Sequence, residues 1–139
     1  MIVVDTSGML ALLDRDDKHH KRLAAELEES GESWVLPWAI LPEIDYLATK
    51  YLGPKVALAF AEDIGRGAFR VEGVQLSDVK AAVALNRSYP RLRLGLVDGV
   101  VMAQAVRLRA EGIVTLDARH FQTVKLKLPT RPRLIPLDG

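Results

Sequence analysis

Four isolated carboxylates stand where apolar segments of the sequence give way to predicted helices. They are Asp5, Glu43, Asp98 and Asp117. Two of them, Asp5 and Asp117, directly follow short apolar segments, as residues do at the carboxyl ends of buried parallel strands, where open α/β sheets bind ligands. Carboxylates gathered in one cleft raise each other's pKa unless a cation neutralises them. The pattern therefore predicts an acidic pocket for a divalent metal ion.

Each acid also has a purely structural explanation. Asp5, Asp98 and Asp117 are each placed to cap the N-terminus of a helix, a role that requires no ligand. Glu43 lies three residues after Ile40, near the apolar stripe of its helix, where its stem can cover the core while its carboxylate stays in water. Taken singly, the four positions leave the structural and the metal-binding interpretations open.

Short apolar strands alternate with amphipathic helices along the chain. Strands are predicted at residues 2–4, 35–36, 68–72, 113–115 and 134–135, and helices at 6–13, 19–30, 39–51, 54–64, 77–89, 97–110 and 118–121. We expect Thr6 or Ser7 to cap the first helix. This alternation predicts a three-layer α/β/α sandwich around a mostly parallel central sheet, with residues 1–139 in one domain.

Composition excludes several kinds of chemistry. The chain has no cysteine, which rules out thiolate nucleophiles and zinc–thiolate or iron–sulfur sites. Neither the hydrolase G-x-S-x-G pattern nor a phosphate-binding glycine loop occurs. His19, His20 and His120 lack metalloprotease spacing. Without a signal-peptide pattern or an apolar run of membrane length, we expect a cytoplasmic protein with no membrane partner.

Basic residues are unevenly distributed, although the net charge is only +1. Between residues 79 and 97 no acid occurs, and the basic residues are Lys80, Arg87, Arg91 and Arg93. Between residues 118 and 137 there is again no acid, and the basic residues are Arg119, His120, Lys125, Lys127, Arg131 and Arg133. Such asymmetry can steer a polyanion toward one face, but an ordinary solvated basic surface has the same composition.

Four motifs together resemble the acidic motifs of the PIN-domain family, and in particular the VapC toxins of prokaryotic toxin–antitoxin pairs. They are Val3-Val4-Asp5-Thr6-Ser7, Pro42-Glu43-Ile44, Leu96-Val97-Asp98-Gly99 and Thr115-Leu116-Asp117-Ala118-Arg119-His120-Phe121. Their order, spacing and flanking residues agree, and the likeness covers nearly the whole chain. One departure is Gly99, where alanine is more usual in the family.

The resemblance implies an endoribonuclease that uses Mg²⁺ or Mn²⁺ and cleaves RNA phosphodiesters with a metal-activated water. Position by position, Asp5 and Asp98 resemble the main metal-binding acids, and Glu43 and Asp117 the other two catalytic acids. Supporting hydroxyls would come from Thr6, Ser7 and Thr115. Apart from the resemblance, the basic charge of Arg119, Lys125 and Lys127 predicts contacts to RNA phosphates, since each such contact releases counterions. The resemblance also implies inhibition by a cognate VapB-type antitoxin.

Aromatic residues suggest that the protein is a homodimer, which the resemblance also implies. Trp38, Tyr46, Tyr51 and Phe60 exceed what a domain of this size needs in its interior, so we expect apolar helix surface at residues 38–60 to form the interface.

Two other functions fit parts of the pattern. A nuclease-like module that binds RNA or a protein partner without cleavage is one alternative, although a non-acidic residue at one of the four acid positions would favour it more. A phosphotransfer receiver or phosphatase needs a further acid beside Asp5, where Thr6 and Ser7 stand.

Overall fold

The computed structural model describes residues 1–31 and 33–138, and in these ranges five strands form one parallel sheet. The strands are β1 (Ile2–Val4), β2 (Trp34–Pro37), β3 (Arg70–Glu72), β4 (Gly112–Thr115) and β5 (Arg133–Pro136). They are ordered β3-β2-β1-β4-β5, and each of the four neighbouring pairs is parallel. The predicted parallel sheet is therefore confirmed, with β5 as the predicted edge strand.

Helices cover both faces of this sheet. They are α1 (Thr6–Leu13), α2 (His20–Glu29), α3 (Leu41–Tyr51), α4 (Pro54–Gly65), α5 (Leu76–Ser88), α6 (Gly95–Arg107) and α7 (Ala118–Thr123), with 3₁₀ turns at Trp38–Ile40 and Pro90–Leu92. In one layer α1 contacts α2 and α3, and α3 contacts α4. In the other, α5 and α6 pack together and α6 contacts β1 and β2. This confirms the three-layer sandwich. None of the described helices is long and apolar enough to cross a membrane.

The strand order places a crevice between β1 and β4. The chain starts in the centre with β1, adds β2 and β3 on one side, and then crosses to add β4 and β5 on the other. Ligands of open α/β sheets bind at such a reversal, outside the carboxyl ends of the strands. Gly8 of α1 lies here, and a Cβ on it would stand 2.4 Å from the carbonyl oxygen of Val114, so only glycine lets α1 approach β4 this closely.

The central strands are apolar throughout because both faces of the sheet are covered. Val3, Val35, Leu36 and Ile113 are fully buried. Gly99, the departure from the usual family pattern, has a packing reason, since a Cβ there would lie 2.7 Å from the Cβ of Ala82 on α5. Glycine at this position lets α5 and α6 approach closely.

Tyr51 of α3 is 69% exposed, in line with its predicted place on the surface, but other local predictions differ from the structure. Phe60 was expected on an interface surface, but it is 4% exposed and packs near Phe69 in the core. The prediction for Phe60 is therefore wrong, because α4 packs against α3 and turns Phe60 inward. Helix α6 spans residues 95–107, where the periodicity predicted 97–110.

Candidate active site

The four predicted acids lie at the carboxyl edge of the sheet, and we call them the acidic cluster. Asp5 directly follows β1, and Asp117 comes two residues after β4 as the N-cap of α7. Glu43 lies in the first turn of α3, which follows β2, and Asp98 lies in the first turn of α6. Carboxylates are favourable at helix N-termini because the backbone N–H groups there lack intrahelical partners.

Asp5 is buried and held by three donors. Its Oδ1 accepts hydrogen bonds from Ser7 Oγ and from the Gly8 backbone N–H, each at 2.8 Å, and its Oδ2 accepts one from Thr115 Oγ1. Asp5 is thus the N-cap of α1, which confirms the capping role predicted for it, and the prediction that Thr6 or Ser7 caps this helix is wrong. A carboxylate is a stronger acceptor than a hydroxyl, and here the Ser7 hydroxyl acts as a donor to it.

All three donors to Asp5 are neutral, so no cationic donor offsets the effect of its burial. Burial raises the pKa of Asp5 to about 6, although the hydrogen bonds from Thr115, Gly8 and Ser7 lower it. The negative charge of Asp98 contributes further to the increase. Because burial disfavours the ionised form unless a cation lies nearby, Asp5 is a carboxylate that a cation would stabilise.

Ser7 and Thr115 also connect Asp5 to the segment that carries Asp117. Ser7 Oγ accepts a hydrogen bond from the Leu116 N–H at 2.9 Å, and Thr115 Oγ1 accepts one from the Asp117 N–H at 2.9 Å. Both hydroxyls therefore bridge the ends of β1 and β4. They fix the separation of two acids that are distant in the sequence.

His120 lies between two members of the acidic cluster. Its Nδ1 is 2.8 Å from Asp117 Oδ2 and 3.1 Å from Asp98 Oδ2, and its Nε2 is 3.0 Å from the carbonyl oxygen of Leu92. Sequence reasoning missed this role, because it tested the histidines only for metalloprotease spacing. The position of His120, three residues after Asp117 on a helical turn, was the pattern that indicated it.

The charge of Glu43 acts on Asp98. The pKa of Asp98 is raised, chiefly by burial, while His120 opposes the shift and the negative charges of Asp117 and Glu43 add to it. Glu43 is half-buried. The structure thus brings together all four acids that the sequence singled out.

The donor set fits a hard divalent cation. Ligand atoms of Asp98, Asp117 and His120 all lie within 4.8 Å of one another. Mg²⁺ prefers carboxylate and water oxygens in an octahedron, and Mn²⁺ accepts carboxylates and imidazole. Asp98 and Asp117 can therefore supply direct oxygen ligands, with Asp5 adding negative charge next to Asp98. The predicted assignment of Asp5 as a direct ligand remains a prediction, since both of its oxygens already accept hydrogen bonds.

The other predicted site residues have different surroundings. The Thr6 hydroxyl is buried with no hydrogen-bond partner among the described residues. Arg119 is exposed and adjoins His120 in α7. Lys125 and Lys127 line a groove against α5 and α6 whose lining contains no member of the acidic cluster. Only Arg119 of the three predicted RNA-binding residues therefore adjoins the cluster in the chain.

Comparisons with known proteins agree with this geometry. Residues 2–126 match the model of the PIN domain family. The chain is 27% identical over 124 residues to Ribonuclease VapC26 of Mycobacterium tuberculosis, and the match covers 89% of this chain and 92% of that protein.

Solved structures with the same fold include VapC20 of Mycobacterium tuberculosis, a toxin that cleaves the sarcin–ricin loop. Its TM-score is 0.78 at 20% identity, with 86% of this chain and 92% of that chain covered. A DNA-bound VapBC from Salmonella typhimurium has a TM-score of 0.64 at 18% identity, with 96% and 95% covered.

Proposed function

The chain belongs to the PIN domain family, as the resemblance of its acidic motifs indicated, and from that premise we propose that it is a metal-dependent endoribonuclease toxin. The similar protein named Ribonuclease VapC26 supports the activity, and the VapBC complexes among the similar folds support the toxin role. The observation that carries the proposal is the convergence of four acids from four elements, one of which is the buried Asp5 with a pKa of about 6. Such a site is completed by a divalent cation.

Each acid has a part in this reaction. Asp98 and Asp117 would hold the cation, which we propose to be Mg²⁺ or Mn²⁺. The cation, when bound, would supply a polarised water and neutralise charge that develops on the phosphate. Glu43, half-buried and close enough to Asp98 to raise its pKa, could accept a hydrogen bond from the attacking water. Asp5 adds negative charge and, through Ser7 and Thr115, holds the end of β4 in place.

Incubating the purified protein with single-stranded RNA tests the activity directly. We expect cleavage with Mg²⁺ or Mn²⁺ and none in excess chelator. Calcium should bind without supporting turnover, because its looser coordination positions the water poorly. Asp16→Asn is a matched control, since Asp16 is an exposed acid outside the cluster. Full activity in chelator would contradict metal dependence, and RNA binding without cleavage would favour the non-catalytic alternative.

We propose that the partner is a VapB-type antitoxin whose tail places an arginine or lysine among the acidic cluster. A guanidinium binds carboxylates bidentately and would neutralise the same charges that a metal ion does. Inhibition should then weaken as Mg²⁺ increases, or when the basic residue of the tail is replaced by alanine. Inhibition that is unchanged in both experiments would show that the antitoxin blocks RNA access elsewhere.

We also propose a homodimer through exposed aromatic side chains around α3. Trp38, Tyr46 and Tyr51 are 55%, 65% and 69% exposed, and Leu58 of α4 is 61% exposed. Such side chains are enriched at interfaces, and their exposure on an isolated domain needs an explanation. Light scattering at micromolar concentration should give a dimer mass, and Tyr46→Lys should give a monomer. A monomer mass for the unmodified protein would refute the proposal.

A further inference from the structure

The segment between α5 and α6, residues 89–94, carries two exposed arginines. Arg91 and Arg93 are exposed, and within residues 1–31 and 33–138 neither forms an ion pair or a side-chain hydrogen bond. We call this segment the arginine loop. It precedes the helix that carries Asp98, so its position relative to the acidic cluster matters for any anionic substrate.

Three sets of hydrogen bonds fix the arginine loop. Asn86 of α5 accepts from the Gly95 N–H and donates to the Gly95 carbonyl, each at 2.9 Å. The Tyr89 hydroxyl accepts from the Lys125 N–H at 3.3 Å. The carbonyl oxygen of Leu92 accepts from His120 Nε2 at 3.0 Å. The loop is thus held at both ends and in the middle.

The hydrogen bond between His120 and the Leu92 carbonyl connects the arginine loop to the acidic cluster. A carbonyl oxygen only accepts hydrogen bonds, so His120 donates from Nε2 to Leu92. The opposite nitrogen of the same ring faces Asp117 and Asp98. The backbone of Leu92 therefore lies one imidazole ring away from these carboxylates, and the two arginines are its immediate neighbours in the chain. His120 acts here as a positioning residue.

Arg93 occupies a backbone conformation that favours glycine. Its φ is 51°, in the left-handed region, and among the described residues the only other non-glycine with positive φ is Arg109, at 54°. A side chain at such a φ is strained, and strain of this kind concentrates at functional sites. Arg109 is also exposed, but it follows α6 and precedes β4, at the opposite edge of the sheet from the acidic cluster. It provides a matched control.

We propose that the arginine loop is an RNA-backbone clamp, in which Arg91 and Arg93 bind phosphates flanking the scissile bond. The proposal rests on the endoribonuclease function argued above. A cluster of four acids repels RNA, and cations next to it are needed to bring the phosphates close. Guanidinium groups bind phosphate oxygens bidentately and without regard to base identity. Because the loop is tied to the cluster through His120, it would set the position of the RNA along the active site.

Binding of a fluorescent single-stranded RNA, measured in an Asp98→Asn background over a range of salt concentrations, tests this clamp. Arg91→Gln/Arg93→Gln should raise the Kd at least tenfold and lower the salt slope by about 1.4, since each phosphate contact on a single strand contributes about 0.7. Arg109→Gln should change neither quantity. In the active protein the double variant should raise KM more than it lowers kcat.

A second substitution separates binding from folding. Arg93→Gly and Arg109→Gly both relieve left-handed strain, so both should keep or raise the Tm, whereas only Arg93→Gly should weaken RNA binding. If the double glutamine variant keeps the unmodified Kd and salt slope while the unmodified protein cleaves RNA, the clamp is wrong and the proposed function stands. If no form binds or cleaves RNA, both are wrong.

Discussion

Two buried aspartates in this molecule both cap helices, but their pKa values shift in opposite directions. Asp5 and Asp78 are 4% and 2% exposed, and each caps a helix: Asp5 is the N-cap of α1, and Asp78 closes the capping box of α5 with Gln75. Yet the pKa of Asp5 is raised to about 6, whereas the pKa of Asp78 is lowered. Burial alone therefore does not decide the charge state of a carboxylate.

The two pKa shifts differ because the hydrogen-bond donors to the two carboxylates differ. Burial raises the pKa of Asp78 too, but Arg107 and the N–H donors of Gln75 and Gln104 outweigh it. Arg107 binds both oxygens of Asp78 at 3.0 Å, and also binds Glu72 at the end of β3. Asp5 has only hydroxyl and backbone donors.

A buried carboxylate that is paired with a cationic side chain of the same protein stabilises the fold. A carboxylate buried among neutral donors and other acids can instead bind a metal ion or a cationic group of another molecule. Asp78 joins β3, α5 and α6 through Arg107, and its charge is already neutralised within the chain. Asp5 and its neighbour Asp98 are not neutralised in this way, and His120 only partly offsets the negative charge. This contrast predicts that substitutions at the two sites affect different properties.

The largest expected effect is on activity. Asp98→Asn should reduce the rate of cleavage by more than about 100-fold. Mutating a residue that only hydrogen-bonds to a metal ligand already lowers metal affinity or activity by about 10-fold to 100-fold, and Asp98 is a proposed ligand itself. The fold should remain, because removing one charge relieves repulsion from Asp117 and Glu43. Cleavage rates and circular dichroism of the purified variant measure both outcomes. An unfolded variant would indicate that the carboxylate is needed chiefly for structure.

Asp78→Asn should produce the reverse pattern. It removes the carboxylate that binds Arg107 bidentately, while the half-buried Arg107 keeps Glu72 as a partner, and losing hydrogen bonds to a charged group costs about 1.5 to 3 kcal/mol of unfolding free energy. Urea denaturation measures the loss, and cleavage per folded molecule should stay close to that of the unmodified protein. Asp63→Asn, which removes an exposed partner of Arg66, is the control and should cost less than about 1 kcal/mol. Similar losses for both variants would refute the contrast.

The pH dependence of stability should have opposite signs at the two aspartates. A raised folded-state pKa means that the Asp5 contribution is fully present below its unfolded value of 3.8 and is lost as pH rises through about 6. Two pKa units correspond to at most about 3 kcal/mol. In chelator, the free energy of unfolding of the unmodified protein should fall relative to that of Asp5→Asn as the pH rises from 4 to 7. The lowered pKa of Asp78 predicts the opposite trend, with stability lost as pH falls.

Mg²⁺ should produce the smallest effect and should act at only one of the two sites. At ten times its Kd, a ligand that binds only the folded state stabilises it by about 1.4 kcal/mol. Thermal unfolding should show this increase in the unmodified protein and in Asp78→Asn, but not in Asp98→Asn. Equal stabilisation of all three would mean that the ion binds outside the acidic cluster.

Local patterns in the sequence were sufficient for the architecture. Continuous apolar runs predicted buried parallel strands because both faces of the sheet must be covered, and the acids after β1 and β4 followed from where such strands end. The boundaries of β1 and α1 agree with the prediction to the residue. The aromatic excess was a weaker guide, since Trp38, Tyr46 and Tyr51 are exposed as expected but Phe60 is buried.

By itself, the sequence determined the layers, the parallel sheet and the gathering of Asp5, Glu43, Asp98 and Asp117 at one edge, because periodicity and strand ends are local properties. Tertiary structure alone decided which distant partners the acids meet. Thr115 binds Asp5 from 110 positions away, and His120 reaches Asp98 across 22. Hydrogen bonds act over about 3 Å, so they depend on how helices and strands pack rather than on spacing along the chain. The same packing gave Asp78 a guanidinium and left Asp5 without one.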